Sequence, residues 1–214
     1  MHVIIFLTFI FLNSCSEVKQ DLNVQGKDVT SISDTCADPD ANSECCFINM
    51  PEEISSVINI ADENEPGNKM IIKGRLLKND NITPLNDVII YVYHTDNNGY
   101  YSKKGNEKGV QKYHGHLHGW GKTDESGNFE IHSIKPARYP GNKFPAHIHA
   151  VLKIPGKTPF YINDFVFKDD DLVNESYINS LRDPGGTGVI DLKKNAENIL
   201  TGERIILIDL DKTD

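Results

Sequence analysis

Two histidines and a set of tyrosines carry the chemistry that the sequence suggests. His147 and His149 are two residues apart, and side chains at that spacing on a β-strand point to the same face of the sheet. Tyr139 ends one strand-like segment, and the run Gly99–Tyr101 ends another one upstream. Phenolate is a hard, charged donor, so a site of two tyrosinates and two neutral imidazoles favours a hard trivalent ion over zinc. Ferric iron fits such a site best.

The elements that must position these residues are strands. Segments rich in β-branched and aromatic residues alternate with turn residues, as in strands that follow one another through short loops. They predict strands at Met70–Leu77, Val88–His94, Asn128–Ile134, Ala146–Ile154 and Arg204–Leu210. Short helices are predicted at Pro51–Ile60 and Asp171–Ser180. The sequence therefore predicts an all-β fold, a β-sandwich of mostly antiparallel strands with long loops and few short helices.

Size and charge limit the classes of function. The chain has 214 residues, of which 38% are apolar, and this is enough for one globular domain with a sizeable core. Acidic residues outnumber basic ones by 31 to 22, which gives a formal charge of −9 and a pI near 5.3. Because nucleic-acid binding needs a basic surface, DNA and RNA are not expected as partners.

The N-terminus predicts export. Val3–Leu12 is almost wholly apolar and too short to span a membrane as a mature helix, which is typical of a signal segment. Leu12–Cys15 resembles a bacterial lipobox, so we expect removal of residues 1–14 and lipidation of Cys15. The alternative is an ordinary secretory peptide that is cleaved nearby. The interpretation predicts an exported, membrane-anchored lipoprotein that faces the periplasm or lies at the cell surface.

The predicted organisation has three parts. Residues 1–14 form the signal peptide, residues 15–67 a tether and cysteine-containing segment, and residues 68–214 the β-sandwich domain. Cys36, Cys45 and Cys46 lie close together, and oxidising conditions outside the cytoplasm favour a disulfide. Cys36 is expected to pair with either Cys45 or Cys46, which leaves one thiol free.

Three further motifs have competing interpretations. The histidines of His114–His118 alternate along the chain and would form a second metal site if this run were a strand. A solvated or pocket-lining loop is favoured instead, because Gly115 weakens a rigid strand and no fourth ligand is evident. Asp169–Asp171 lacks the glycine and glutamate of a calcium loop and predicts a turn or a helix N-terminus. The glycine-rich run Asp183–Gly188 lacks a phosphate-binding pattern and predicts a loop.

Four motifs together resemble those of a known family. They occur in the family's order at Asp96–Tyr101, Gly119–Phe129, Ile134–Pro140 and Pro145–His149. With them the chain is similar, over roughly Met70–Leu210, to the intradiol ring-cleavage dioxygenases, which include protocatechuate 3,4-dioxygenase. The resemblance implies a β-sandwich enzyme with non-haem ferric iron.

The resemblance also implies roles for individual residues. Tyr101, Tyr139, His147 and His149 correspond to the iron ligands, and Tyr101 is preferred over Tyr100 because the second position after the glycine carries the ligand in the family. The implied substrates are a catechol-type aromatic diol and dioxygen, and the ring opens between the two hydroxyl-bearing carbons. Tyr139 is implied to leave the metal when the diol binds and to act as the catalytic base.

The sequence also departs from the family. Members that cleave catechols typically have Arg where this chain has Phe144, and Lys143 and Arg138 are nearby cations that would have to reach the same pocket. His118 likewise stands where Arg is frequent. The alternative function is a non-catalytic transthyretin-like or carboxypeptidase-regulatory-like binding module, but such modules have no reason to carry two tyrosines and two histidines at the ligand positions. The identity of the diol and the oligomeric state remain open at this stage.

Overall fold

The computed structural model describes residues 36–141 and 143–213. The described chain is built from ten strands in two five-stranded sheets. The strands are β1 (Val57–Asn59), β2 (Lys69–Lys78), β3 (Ile89–His94), β4 (His118–Lys122), β5 (Asn128–Ile134), β6 (His147–Lys153), β7 (Phe160–Phe167), β8 (Val189–Ile190), β9 (Lys193–Lys194) and β10 (Leu200–Ile208). Short helices are α1 (Gln111–His114), α2 (Glu175–Ser180) and two 3₁₀ helices at Ser43–Phe47 and Leu210–Lys212.

The two sheets are mixed. The first has the strand order β1-β5-β2-β10-β9 and the second the order β4-β3-β6-β7-β8. Strands β1 and β5, β2 and β10, and β7 and β8 pair in parallel, while the other neighbours are antiparallel. The predicted all-β sandwich is therefore confirmed.

Alternation along β6 separates the core from the site. Ile148, Ala150 and Leu152 are fully buried and belong to the main apolar cluster between the sheets. His147 and His149 occupy the intervening positions and are only partly buried. Because successive side chains of a strand point to opposite faces, both histidines lie on the outer face of the second sheet.

The structure corrects one predicted helix and locates the other. Pro51–Ile60 is not a helix, because Val57–Asn59 forms strand β1 and pairs in parallel with β5. Ile58 is fully buried against the core, and its β-branched side chain fits a pleated surface well. Within the predicted helix Asp171–Ser180, α2 is formed by the last six residues.

The cysteine-containing part of the segment 15–67, residues 36–50, packs against the outer face of the second sheet, where it contacts side chains of β3 and β6. Cys36 and Cys45 form a disulfide, and the buried Cys46 is the free thiol, which resolves the pairing that the sequence left open. The Trp120 indole N–H donates to the Cys46 carbonyl over 2.8 Å. The boundary between residues 67 and 68 stays a prediction.

The predicted signal segment and Cys15 lie outside the described residues. In the part of the chain that the structure covers, no helix has the length and apolar character to cross a bilayer. Lipidation and membrane anchoring therefore stay predictions.

Candidate metal centre

The four predicted donor side chains converge on one point. The Tyr101 and Tyr139 hydroxyl oxygens are 2.6 Å apart. The Tyr139 oxygen lies 3.1 Å from His147 Nε2 and 3.3 Å from His149 Nε2. The two Nε2 atoms are themselves 3.0 Å apart. Tyr100 is exposed and is not part of this group, so the structure separates the two adjacent tyrosines.

Two loops bring the tyrosines together. The Thr95 hydroxyl donates to the Ala137 carbonyl over 2.7 Å, and the Ala137 N–H donates to the Asp96 carbonyl over 3.1 Å. Gly99 has φ +85°, and a Cβ at this position would lie 1.9 Å from the Arg138 carbonyl oxygen. Only glycine permits this approach, so the loop after β3 and the loop after β5 meet next to both phenols.

Strand β6 and its surroundings fix the histidine tautomers. His147 Nδ1 is 2.6 Å from the Pro145 carbonyl oxygen, and His149 Nδ1 is 2.8 Å from Asp164 Oδ1. A carbonyl oxygen or an ionised carboxylate only accepts, so each Nδ1 carries the proton. Both Nε2 lone pairs therefore face the Tyr139 hydroxyl, and an unprotonated Nε2 is what a metal-binding imidazole requires.

The donor set fits a metal ion. Atoms that bind one ion at about 2.0–2.2 Å lie about 3 Å from one another, and the four contacts that link these donors are 2.6–3.3 Å long. Two unprotonated Nε2 atoms and two phenol oxygens lie close together, and only the two phenol O–H groups can donate hydrogen bonds among them. A cation at their centre compensates this crowding, and two phenol donors suit a hard trivalent ion.

Burial favours the uncharged forms of the tyrosines and of His147 when no cation is present. Desolvation raises the pKa of Tyr101 and of Tyr139 above the ordinary phenol value. It also lowers the pKa of His147, with a further lowering from the nearby His149. The histidine is therefore neutral and able to bind metal at neutral pH, whereas both phenols need a cation nearby in order to ionise.

Asp164 belongs to the site although no sequence motif includes it. Its pKa is lowered because the hydrogen bond from His149 and neighbouring positive charge outweigh desolvation. His147, His149 and Asp164 are grouped closely enough to hold a metal ion. Asp164, however, contacts Nδ1 of His149, on the other side of the ring from the tyrosine hydroxyls. It therefore orients the His149 ring and is not itself one of the four donors.

A pocket of about 410 Å³ opens onto the donors. Tyr139 lines it, whereas Tyr101 does not. Other lining residues come from the loop before β6, from β6 itself, from β7 and from the segment around α2. They include Phe144, His147, His149, Asp164, Tyr177, Leu181, Arg182 and Asp183. Phe144 is 58% exposed at this pocket. The sequence motifs did not indicate Tyr177, Leu181 or Arg182, which depend on how the long segment after β7 folds back.

Arg138, one of the two nearby cations that the sequence offered for the pocket, forms ion pairs outside the pocket instead. Arg138 donates from Nε to Asp170 Oδ2 over 2.9 Å and also bonds Asp170 Oδ1 and Asp171. Asp170 Oδ2 also accepts the Ala146 N–H over 2.9 Å. Arg138 thus fastens the Tyr139 loop to the start of β6, and neither it nor Lys143 lines the pocket. Among the lining residues, Arg182 supplies the permanent positive charge.

The run His114–His118 does not form a strand face. His114 ends α1, stacks on Tyr93 with ring centroids 3.6 Å apart, and hydrogen-bonds Tyr91. His116 contacts Glu65 through Nε2 over 3.0 Å, and His118 contacts the Gly115 carbonyl through Nδ1 over 2.7 Å. The three rings have different hydrogen-bond partners, and only residues 115–117 form a loop, because His114 belongs to α1 and His118 to β4.

Fold and site together define a β-sandwich in which two loop tyrosines meet two histidines of one sheet. A family model described as dioxygenase matches residues 45–202, well over half of the chain. The chain therefore belongs to the intradiol ring-cleavage dioxygenases, as the four motifs predicted. A non-catalytic sandwich module is not favoured.

Solved structures share the fold. The dioxygenase domain of a dioxygenase and carbohydrate-binding fusion from a cellulolytic Streptomyces species matches with a TM-score of 0.56 at 19% identity, over 75% of this chain and 92% of that one. For 3-chlorocatechol 1,2-dioxygenase from Rhodococcus opacus the TM-score is 0.54 at 20% identity, over 74% and 66% of the two chains. An intradiol ring-cleavage dioxygenase from Tetranychus urticae gives 0.53 at 20% identity, over 75% and 89%. At these identities the likeness establishes the fold.

Proposed function

We propose that this protein is a non-haem ferric dioxygenase that opens the ring of a small catechol-type diol between its two hydroxyl-bearing carbons. The observation that carries the proposal is the convergence of Tyr101, Tyr139, His147 and His149, whose donor atoms are linked by four contacts of 2.6–3.3 Å. Both histidines present unprotonated Nε2 atoms to the Tyr139 phenol oxygen, which in turn contacts the Tyr101 oxygen. Membership of the dioxygenase family supports the same assignment.

The two tyrosines are proposed to have different duties. When bound, ferric iron supplies Lewis acidity and a template for both diol oxygens. Tyr139 faces the pocket and is the phenol that an incoming diol meets first. Burial raises the pKa of Tyr139, so once its phenolate is released from a cation it readily takes a proton from a diol hydroxyl. Tyr101, which does not line the pocket, stays in place.

The pocket suits a single aromatic ring. Phe144, Tyr177 and Leu181 provide apolar surface at its walls, and its volume of about 410 Å³ is at the small end for ligand sites. The Arg182 side chain is held at the rim by hydrogen bonds from Nη1 to the Asn179 and Leu181 carbonyls over 2.9 and 2.7 Å. This places a positive charge where an anionic product leaves.

Product analysis tests the proposal. Iron-loaded protein is incubated with catechol, protocatechuate or hydroxyquinol under isotopically labelled dioxygen, and the products are analysed by mass spectrometry. The carbon–carbon bond between the hydroxyl-bearing carbons breaks and both oxygen atoms enter the diacid, so no reductant is consumed. We expect a diacid with both labelled atoms from at least one diol. A ring opened beside the hydroxyls, or no oxygen uptake by iron-loaded protein, would contradict the proposal.

We further propose that the enzyme works outside the cytoplasm, held to a membrane by lipid on Cys15. The support is the apolar run Val3–Leu12 followed by the lipobox-like Leu12–Cys15, together with a disulfide between Cys36 and Cys45. Fractionation of cells that express the parent or Cys15→Ser tests this. We expect the parent with membranes and the variant in the soluble fraction, and equal membrane association of the two would overturn the anchor.

A further inference from the structure

We propose that Asp164 is a positioning residue that orients His149 and strengthens its Nε2 as a metal ligand, so that Asp164 sets the metal affinity and the colour of the centre. This rests on the proposed function of the site. The motifs that identify the family do not include Asp164, which lies in β7, fifteen residues after His149.

The two histidines of the site have different partners behind them. His149 Nδ1–H donates to the Asp164 carboxylate over 2.8 Å, whereas His147 Nδ1–H donates to the neutral Pro145 carbonyl over 2.6 Å. A hydrogen bond to a carboxylate shifts electron density into the imidazole and raises the basicity of the other nitrogen. His149 is therefore the stronger donor of the pair, although both belong to the same strand.

A β-bulge aims Asp164 at His149. Ile148 of β6 pairs with Phe165 of β7, and Ala150 pairs with Ile162. The two pairs are therefore two residues apart on β6 but three residues apart on β7. Ile162 and Phe165 both belong to the core, although an odd spacing on a regular strand would place them on opposite faces. The extra residue lies at positions 163–164, opposite His149. Bulges near active sites commonly redirect a side chain in this way.

The bulge is held from the side away from His149. The Asn163 amide donates to the Asp183 and Gly186 carbonyls over 2.5 and 2.8 Å, and the Asp183 N–H donates back to Asn163 Oδ1 over 3.2 Å. Gly188 has φ +71°, and a Cβ there would lie 1.8 Å from the Asp164 carbonyl oxygen. The loop that the sequence predicted at Asp183–Gly188 thus packs directly on the backbone that carries Asp164.

A buried cation balances the carboxylate. Arg204 from β10 is 5% exposed, donates from Nη2 to the Asn163 and Gly185 carbonyls over 2.9 Å each, and attracts Asp164 electrostatically. Its Nε and Nη1 atoms have no hydrogen-bond partner among the described residues. Burying a lone charge is costly, so each of these two groups compensates the other. The arrangement keeps a negative charge behind His149, next to the pocket.

Charge removal at Asp164 tests the inference. Asp164→Asn keeps an oxygen acceptor for the His149 N–H but removes the charge, and Asp164→Ala removes both. Iron affinity is measured by competition with a chelator, together with the wavelength of the tyrosinate-to-iron absorption. We expect a loss of affinity of about 10–100-fold and a shifted band in both variants.

A second carboxylate–histidine pair provides the matched control. Glu130 Oε2 and His132 Nε2 are also 2.8 Å apart, but they lie on β5 in the other sheet. Glu130→Gln makes the same chemical change away from the donors, and we expect it to leave iron affinity and colour unchanged. A metal-free readout is the proton resonance of His149 Nδ1–H, which should lie far downfield in the parent and move upfield in Asp164→Asn.

The outcomes separate this inference from the proposed function. If the parent binds no iron, the proposed function fails. If the parent binds iron and forms the coloured centre, but Asp164→Asn keeps the same affinity, band and His149 resonance, the role of Asp164 is overturned while the function stands. Circular dichroism of each variant verifies that it is folded. A folded Asp164→Asn with the expected changes supports the inference, and a shift of equal size in Glu130→Gln overturns it.

Discussion

At the scale of single residues, the two tyrosines of the site have the same chemistry but different surroundings. Tyr139 lines the pocket, and Tyr101 is the more deeply buried of the two. The sequence predicted both as ligands from family motifs, and the structure brings their oxygens to 2.6 Å. Asp164 was not predictable in the same way, because its contact with His149 depends on a one-residue bulge that no residue type announces.

Removal of the Tyr139 hydroxyl tests its separate duty. Tyr139→Phe keeps Tyr101 and both histidines, so we expect it to retain part of its iron and to shift the visible band. We also expect it to lower kcat by about 100-fold, the low end for a lost general base. Tyr101→Phe is the matched control and should weaken iron binding more. Iron content and dioxygen uptake with catechol measure both effects. Equal kcat in Tyr139→Phe and the parent would contradict a catalytic role for Tyr139.

Phe144 tests the departure from the family pattern. Its side chain is 58% exposed, so an arginine at this position extends into the pocket without displacing the core. A cation beside the developing anion should lower the barrier. We expect Phe144→Arg to raise kcat/KM for catechol about fivefold, the rate equivalent of ~1 kcal/mol for a partly exposed charge. Phe144→Gln controls for the change in size, and an equal gain in that variant would rule out charge as the cause.

At the scale of elements, the site depends on loops that approach one another closely. Strands β2, β3, β5, β6 and β10 were predictable because their β-branched and aromatic runs are bounded by turn residues. Strand β4 was missed because two of its five residues are glycine, and β1 because its short apolar run resembles part of a helix. The contact between the loop at Gly99 and the loop at Arg138 is long-range, and no local pattern encodes it.

Gly99→Ala tests that contact. The new Cβ would lie 1.9 Å from the Arg138 carbonyl oxygen at φ +85°, so one of the two tyrosine loops has to move. We expect at least a tenfold loss of iron affinity with all four donor residues still present, measured by chelator competition. Gly105→Ala is the control, since it also has positive φ but nothing within 4 Å of its Cβ position. Unchanged affinity in Gly99→Ala would show that this approach does not hold the tyrosines together.

At the scale of the whole molecule, the sandwich buries histidines that do not belong to the site. His94 is 1% exposed, with Nδ1 on the Thr95 carbonyl and Nε2 on the Ser133 hydroxyl, both over 2.7 Å. Burial lowers the pKa of His94 to about 4 and that of His114 to about 3. Strand-like segments bounded by turn residues predicted the fold class, but only the assembled sheets determine which histidines are kept neutral.

Buried neutral histidines make stability fall in acid. The unfolded chain binds a proton at each of them near the ordinary histidine pKa of about 6.5, while folded His94 does so only near 4. Between these values the unfolded state binds more protons, so the free energy of unfolding falls by up to about 1.4 kcal/mol per pH unit for each such histidine. Urea unfolding of metal-free protein from pH 7 to 4.5 measures the slope. His94→Gln should have a shallower slope than the parent, and equal slopes would refute this origin of the acid sensitivity.

The central claim is that two tyrosines and two histidines hold one ferric ion, and the iron content and visible spectrum of the purified protein test it most directly. We predict about one iron per chain and a tyrosinate-to-iron absorption band, both lost in a folded His147→Ala variant. The variant loses one of the four donors, and its pocket offers no other imidazole outside the pair. Stoichiometric zinc without iron in the parent, or an unchanged band in His147→Ala, would contradict the account.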